Sequence, residues 1–161
     1  MPLDTTICFY TISRNERTIH LSFDRQKHIE ALRDAKNLFS SRELKTDSKE
    51  FSEKALKKLL AENIKETPLP TNNPFIERAT PFQRRVWQLI STISYGKTKT
   101  YGELARSLGG ISLARAVGGA CNANPLALYI PCHRVVGKNG PGGFAGGSGI
   151  KCKLLELEAC S

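Results

Sequence analysis

The 161-residue chain reads as an α+β fold on three observations. Two short runs rich in β-branched and aromatic residues, Ile7 to Thr11 and Thr18 to Phe23, stand near its start. Helical periodicity takes over from Lys27. Two capping-box signatures, Thr80 with Gln83 and Thr100 with Glu103, then open short helices in the second half. The expected architecture is a small N-terminal α/β domain over residues 1–66, with a short antiparallel sheet plus helices. A linker over 67–80 joins it to a mainly helical C-terminal domain over 81–161, with a winged-helix-like helix-turn-helix.

The two strands are expected to form a hairpin, because Ser13-Arg14-Asn15-Glu16 supplies polar turn chemistry between them. From Lys27 to Phe39, Ile29, Leu32, Ala35 and Phe39 fall at helical spacing. Residues 40–47 are polar and read as a loop. A second helix is expected from Asp47 to Asn63, capped by Asp47 or Ser48, with Phe51, Ala55, Leu56, Leu59 and Leu60 as its apolar stripe. Lys54, Lys57 and Lys58 then form a solvated face. Pro68, Pro70 and Pro74 make the linker read as extended and not helical.

Thr80 as N-cap, Pro81 at the first helical position and Gln83 in the capping box start the next helix. Phe82, Val86, Leu89, Ile90 and Ile93 face one side, and Gly96 is a stop. Thr100-Tyr101-Gly102-Glu103 opens a short helix to Leu108, Gly109-Gly110 turns, and Ser112 is expected to cap a third helix to Ala123. That helix carries Gly118 and Gly119 in its middle, at about 1 kcal/mol each relative to alanine. Close packing is one reason to lack side chains there. A narrow partner is another: the DNA minor groove is roughly 6 Å wide. Gly137 to Gly149 holds seven glycines with Phe144 among them, and reads as a pocket wall or a flexible loop. Lys151 to Glu158 closes the chain as a helix.

Charge is unevenly spread. Residues 1–80 carry fourteen Lys and Arg against twelve Asp and Glu, whereas residues 81–161 carry ten against three. That surplus suits a polyanion, nucleic acid before an anionic membrane. No run approaches the eighteen or so apolar residues of a membrane span. The first six residues hold Asp4 and no basic stretch, so no secretory signal is expected. Five cysteines, an odd number without a Cys-x-x-Cys pair, point to reduced thiols in a cytosol-like compartment. Cys8, His20 and His28 lack ligand-pair spacing, and no metal is assigned to them.

The chemistry-bearing stretch is Ile130-Pro131-Cys132-His133-Arg134-Val135-Val136. Pro131 fixes its own φ and biases Ile130 to extended backbone, so a nucleophile beside a base is delivered from a rigid segment. A bare Cys-His pair is a weak signal, but the longer run is specific. Pro131-Cys132-His133-Arg134-Val135 resembles the active-site signature of the O(6)-alkylguanine-DNA alkyltransferases, and the likeness extends from about Thr80 to Glu158.

The resemblance implies a methylated-DNA–[protein]-cysteine S-methyltransferase, a DNA-repair protein that flips the damaged base and keeps the alkyl group on its own thiol, once. Cys132 is then nucleophile and acceptor. His133 is the base, acting through a water because neighbouring side chains on extended backbone point apart. Glu158 orients His133, and Asn124 steadies the turn. Tyr101, Val135, Phe144, Ala145 and Lys151 line the base pocket: Tyr101 donates its hydroxyl, the carbonyls of Cys132 and Val135 accept from the exocyclic amine, and the Ala145 amide faces O(6). Tyr101, Gly102, Ala114, Arg115, Gly118, Asn122 and Lys138 contact DNA, with Arg115 filling the gap in the base stack. Relatives often carry tyrosine where Phe144 stands and serine where Ala145 stands, and a slightly longer loop, so substrate range is the property those positions put at stake. No cofactor is implied. The expected partner is double-stranded DNA bearing O(6)-alkylguanine, with O(4)-alkylthymine as a further candidate; no membrane partner is expected. The expected state is a monomer, cytoplasmic or, in a eukaryote, nuclear. A cysteine hydrolase is one alternative, but it leaves the basic helix-turn-helix unexplained. A damage-flagging binding protein without chemistry is the other, and such relatives replace the cysteine that is present here.

Overall fold

A computed structural model describes residues 7–62, 69–70 and 72–159. Strands β1 (Ile7–Arg14) and β2 (Arg17–Ser22) pair antiparallel. Asn15 and Glu16 turn the hairpin with φ of 49° and 64°, the left-handed pair that a two-residue hairpin loop requires. The register shifts between Ile12 and Ser13, where Ile19 of β2 is the extra, unpaired residue. Phe9 and Ile12, an odd number of residues apart, point to opposite faces of the sheet and serve different cores: Phe9 packs with Leu56, Leu60 and Leu154, and Ile12 with Ala31 and Ala35.

Helix α1 (Arg25–Leu38) is capped by Asp24, whose carboxylate accepts from the Gln26 and Lys27 amides. It seats through Ala31 and Ala35, small residues that bring it close to the sheet. Ile29, expected on the apolar stripe, is 43% exposed.

Residues 44–51 correct the sequence reading. They form strand β3 (Leu44–Phe51), which completes the sheet order β2-β1-β3. The expected loop holds only over residues 40–43, and no helix starts at Asp47. Both faces of β3 are exposed over Lys45 to Glu50, so no alternation of apolar residues marks it. It exists by eight-residue pairing with β1, and its charges are those of an edge strand that must not recruit another chain. Helix α2 (Glu53–Glu62) begins later, with the Ser52 hydroxyl accepting from the Ala55 amide, and Leu56 and Leu60 are buried. Lys54 and Lys58 are exposed and Lys57 half-buried.

The proline-rich stretch is not wholly extended either. Asn73 caps a one-turn helix α3 (Pro74–Glu77), and its amide also donates to the Ile19 carbonyl at 2.9 Å, tying the turn to β2. Residues 63–68 and 71, where the extended reading also falls, lie outside the described residues.

Helix α4 (Pro81–Ser91) has the expected Thr80–Gln83 capping box. It ends at Ser91, earlier than the glycine expected to stop it, and Gly96 lies in the turn beyond with φ of 71°. Trp87, not among the expected core residues, is 2% exposed and donates its indole N–H to the Ala120 carbonyl at 2.8 Å. Strand β4 (Lys99–Thr100) leads into α5 (Tyr101–Leu108), capped by Thr100 with Glu103. A 3-10 turn at Ile111–Leu113 then precedes α6 (Ala114–Asn122). Ser112 therefore lies inside that turn and does not cap the helix; Leu113 holds the N-cap position without a side-chain bond. Strand β5 (Val135–Val136) pairs parallel with β4. Helix α7 (Ser148–Ala159) closes the fold, burying Lys151, Leu154, Leu157 and Glu158.

The halves share packing. One core cluster joins Ile7, Phe9, Leu21, Phe23, Leu56 and Leu60 to Ala127, Leu128, Leu154 and Leu157. Leu21 donates its amide to the Pro125 carbonyl at 2.9 Å and accepts from Ala127 at 3.1 Å. The edge of β2 thus holds the segment that leads into Cys132.

Candidate active site

Pro131, with φ −78° and ψ 62°, forms an inverse γ-turn in which the Cys132 amide donates to the Ile130 carbonyl at 2.7 Å. The chain then makes a 3-10 turn over Cys132–Arg134, which replaces the extended backbone expected there. A 3-10 turn sets successive side chains roughly a third of a turn apart. Cys132 and His133 still diverge, but for a different reason.

Asn124 spans the turn: its amide donates to the Ile130 carbonyl at 2.8 Å and to Cys132 Sγ at 3.1 Å, while its Oδ1 accepts from the Leu126 amide at 2.9 Å. Burial pushes the Cys132 thiol above its ordinary pKa, and the Asn124 donor and the Lys151 and Lys27 charges pull it back only in part. The resting thiol is protonated at neutral pH and needs a base.

His133 is 1% exposed, and its Nε2 lies 2.7 Å from Glu158 Oε1. Burial would push the Glu158 carboxyl up, but hydrogen bonds from His133 and Arg134 and the Gly96 amide bring it down to about 2. His133 is lowered, chiefly by burial, against the raising effect of Glu158. A neutral imidazole beside an ionised carboxylate donates from Nε2, which leaves Nδ1 as the basic nitrogen.

Arg134, to which sequence reasoning gave no role, makes the third member of this buried group. Its Nε and Nη2 donate to Glu158 at 2.9–3.1 Å, and its Nη1 donates to the Ile93 carbonyl at 2.7 Å. A buried carboxylate needs such a partner to stay charged. The only sequence signal was an arginine embedded in apolar residues.

A cavity of about 490 Å³ opens beside Cys132, lined by Tyr101, Ala114, Arg115, Gly118, Asn122, Phe144 and Ala145, all expected residues, together with Cys121 and Gly143. Lys151 stands behind this wall, fully buried, with its ammonium donating to the Tyr101 hydroxyl at 3.3 Å and the Gly143 carbonyl at 3.1 Å. Burial lowers its pKa, and a thiolate at Cys132 opposes that shift. Tyr101 is pushed up to about 12, burial first, so the phenol keeps its proton. Gly142 makes room for that ring: at φ 77°, a Cβ would fall 2.7 Å from Tyr101 Cε2. The wall also leans on the N-terminal half, with the Phe144 and Phe23 rings 5.8 Å apart.

Besides Lys151, three residues expected in the base pocket or at the DNA lie outside the cavity lining. Val135 is fully buried in β5, Gly102 faces the Ile111 side chain, and Lys138 is exposed beyond β5. Arg115 is exposed, and no ion pair holds it among the described residues. Internal packing does not require the glycines of α6. A Cβ on Gly119 would meet nothing within 4 Å, and one on Gly118 only Tyr101 Cε1 at 3.9 Å. The His20 and His28 rings stand 6.2 Å apart, and among the described residues no group of three or more His, Cys, Asp or Glu could hold a metal ion.

Residues 81–160 match the family model described as 6-O-methylguanine DNA methyltransferase, DNA binding domain. The methylated-DNA–protein-cysteine methyltransferase of Mycobacterium leprae is 52% identical over 80 residues, 49% of this chain and 48% of that protein. A crystal structure of Mycobacterium tuberculosis OGT in complex with DNA is similar with a TM-score of 0.50 and 49% identity, over 52% of this chain and 51% of that one. The crystal structure of O6-methylguanine-DNA methyltransferase from the hyperthermophilic archaeon Pyrococcus kodakaraensis strain KOD1 is similar over 98% of this chain and 95% of that one, with a TM-score of 0.63 and 28% identity. The chain spans about half the length of the curated relatives it matches, whereas the archaeal structure shares its α+β fold across both halves. Through residues 81–160, this chain belongs to the family of the 6-O-methylguanine DNA methyltransferases.

Proposed function

We propose that this chain repairs duplex DNA by moving the alkyl group of O(6)-alkylguanine onto Cys132, once per molecule. The observation that carries the reading is the cavity that opens between Cys132, Tyr101 and the Arg115-bearing face of α6. A base stacked in a duplex cannot reach a thiol that is 6% exposed, so it must be rotated out, at a cost of a few kcal/mol. Arg115, exposed on α6, is suited to fill the vacated stack.

His133 takes the thiol proton through a water, and Glu158 stabilises the imidazolium that results. Cys132 sulfur attacks the alkyl carbon in line, the carbon–O(6) bond breaks, and a thioether forms. The departing guanine is stabilised by a hydrogen bond from the Tyr101 hydroxyl, backed by the Lys151 ammonium, and takes up through water the proton that His133 removed from the thiol. The thioether has no leaving group within reach of the site's chemistry, so the protein acts stoichiometrically. In this reading residues 81–159 carry both the DNA reader and the acceptor, and residues 7–62 buttress them.

The test is intact and peptide mass after incubation with a duplex bearing one O(6)-methylguanine. One methyl is expected on Cys132 and none on Cys8, Cys121, Cys152 or Cys160. Tight binding of the lesion without mass gain would favour the damage-flagging alternative, and more than one methyl per molecule would exclude the single-use mechanism.

A further inference from the structure

Besides the Phe23 ring against Phe144, the N-terminal half reaches the cavity rim through Lys27. Lys27 lies in the first turn of α1, where the Asp24 carboxylate accepts from the Gln26 and Lys27 amides, so its side chain departs from a fixed point. The ammonium crosses to the last residue of α6, ninety-five positions later, and donates to both the carbonyl and the Oδ1 of Asn122, the latter at 2.8 Å. Two of its three donors are thereby used, and its charge sits at a helix C-terminus, where a cation is favoured. Asn122 lines the same cavity as Cys132.

We propose that Lys27 is a positioning residue for alkyl transfer, its charge pinned at the cavity rim by Asn122 so that it favours the Cys132 thiolate. The proposal rests on the reading of Cys132 as alkyl acceptor. The charge of Lys27 lowers the pKa of Cys132, and reciprocally a thiolate at Cys132 raises that of Lys27, against burial, which lowers it. The other groups facing Cys132 are Lys151 from α7, Cys121 from α6 and Tyr101 from α5. Burial raises the Cys121 and Tyr101 pKa values to about 12, so both are neutral. Lys27 itself also faces Asp24 and Glu30. Two cations therefore oppose desolvation of the thiolate. Lys151 is built into the pocket wall, whereas Lys27 comes from outside it.

The experiment follows Cys132 carboxamidomethylation by iodoacetamide, read by peptide mass, from about pH 6 to about pH 10 in the full chain. Removing one nearby unit charge is expected to move the rising limb of the Lys27→Met profile to higher pH, slowing the reaction about threefold below the plateau. The plateau itself should stay put. Lys27→Glu should move the limb further, and Lys27→Arg should superimpose on wild type. A merely structural lysine would instead lower the plateau or leave all profiles coincident, and either result overturns the proposal. Heat unfolding is measured for each variant, with Lys27→Gln used if the methionine variant unfolds at the assay temperature. Wild type is assayed in parallel with alkylated duplex. A shifted iodoacetamide limb with no alkyl transfer by wild type would refute the repair reading and leave the thiol tuning intact. Transfer by wild type with unshifted limbs would refute the role of Lys27 alone.

Discussion

Arg115 separates binding from chemistry. It is exposed on α6 at the mouth of the cavity, and no acidic partner competes for it among the described residues. If it fills the gap left by an extruded base, its value exists only when there is a stack to fill. Arg115→Ala is expected to slow transfer from an alkylated duplex at least about tenfold, about 1.4 kcal/mol, with little change for the free alkylated base. Paired single-turnover rates check this; parallel losses would make Arg115 a pocket residue instead. At this scale the sequence was informative where chemistry is local. Cys132 and His133 are adjacent, and a thiol beside an imidazole is visible as text. Asn124 and Glu158 were reached only through resemblance, because a loop separates Asn124 from Cys132 and twenty-five residues separate Glu158 from His133. Arg134 was in plain sight, but its role was illegible. Whether an arginine is buried against a carboxylate or turned to solvent depends on α7 folding back over it, which no local pattern states.

At the scale of the element, α6 offers a test that pulls stability and function apart. Glycine in a helix interior destabilises by roughly 1 kcal/mol relative to alanine, and a Cβ on Gly119 would enter open space. Gly119→Ala should therefore raise stability by about 0.5–1 kcal/mol in denaturant titration while weakening duplex binding and repair. A variant both more stable and fully active would show that the bare face of α6 does not meet DNA. Packing had been a reasonable alternative from sequence alone, and the open space beside Gly119 weakens it. The same contrast governs the other elements. α4 and α5 were legible because their capping boxes are local chemistry, Thr80 with Gln83 and Thr100 with Glu103. β3 was not, because an exposed edge strand carries no apolar alternation and takes its conformation from β1. α3 was hidden for the opposite reason: Pro74 suits a helix start as well as an extended linker, and the deciding Asn73 bonds involve a distant β2.

At the scale of the whole molecule, a buried histidine couples the assembly of the N-terminal half to pH. His20 on β2 is 5% exposed, with its ring beside His28 of α1 and Phe75 of α3, and among the described residues neither of its nitrogens has a hydrogen-bond partner. Burial, then the charges of His28 and Lys27, lower its pKa to about 4 from an ordinary 6.5. The folded imidazole stays neutral where the unfolded one takes a proton. As pH falls from 6.5 toward 4 the unfolded state binds more protons, and stability falls with it. Above 6.5 both states are neutral at this site and the penalty vanishes. The full loss is on the order of 3 kcal/mol, a large share of a small domain's stability. His28, also lowered by burial, adds to the loss in the same direction. His20→Phe keeps an aromatic ring against Phe75 and removes the titration. Denaturant midpoints measured at several pH values across that window should fall steeply for wild type and less for the variant, the remaining slope reporting His28 and the buried His133. Parallel slopes would mean that the ring is solvated in solution, and that α1, β2 and α3 close less tightly around it than their packing here indicates.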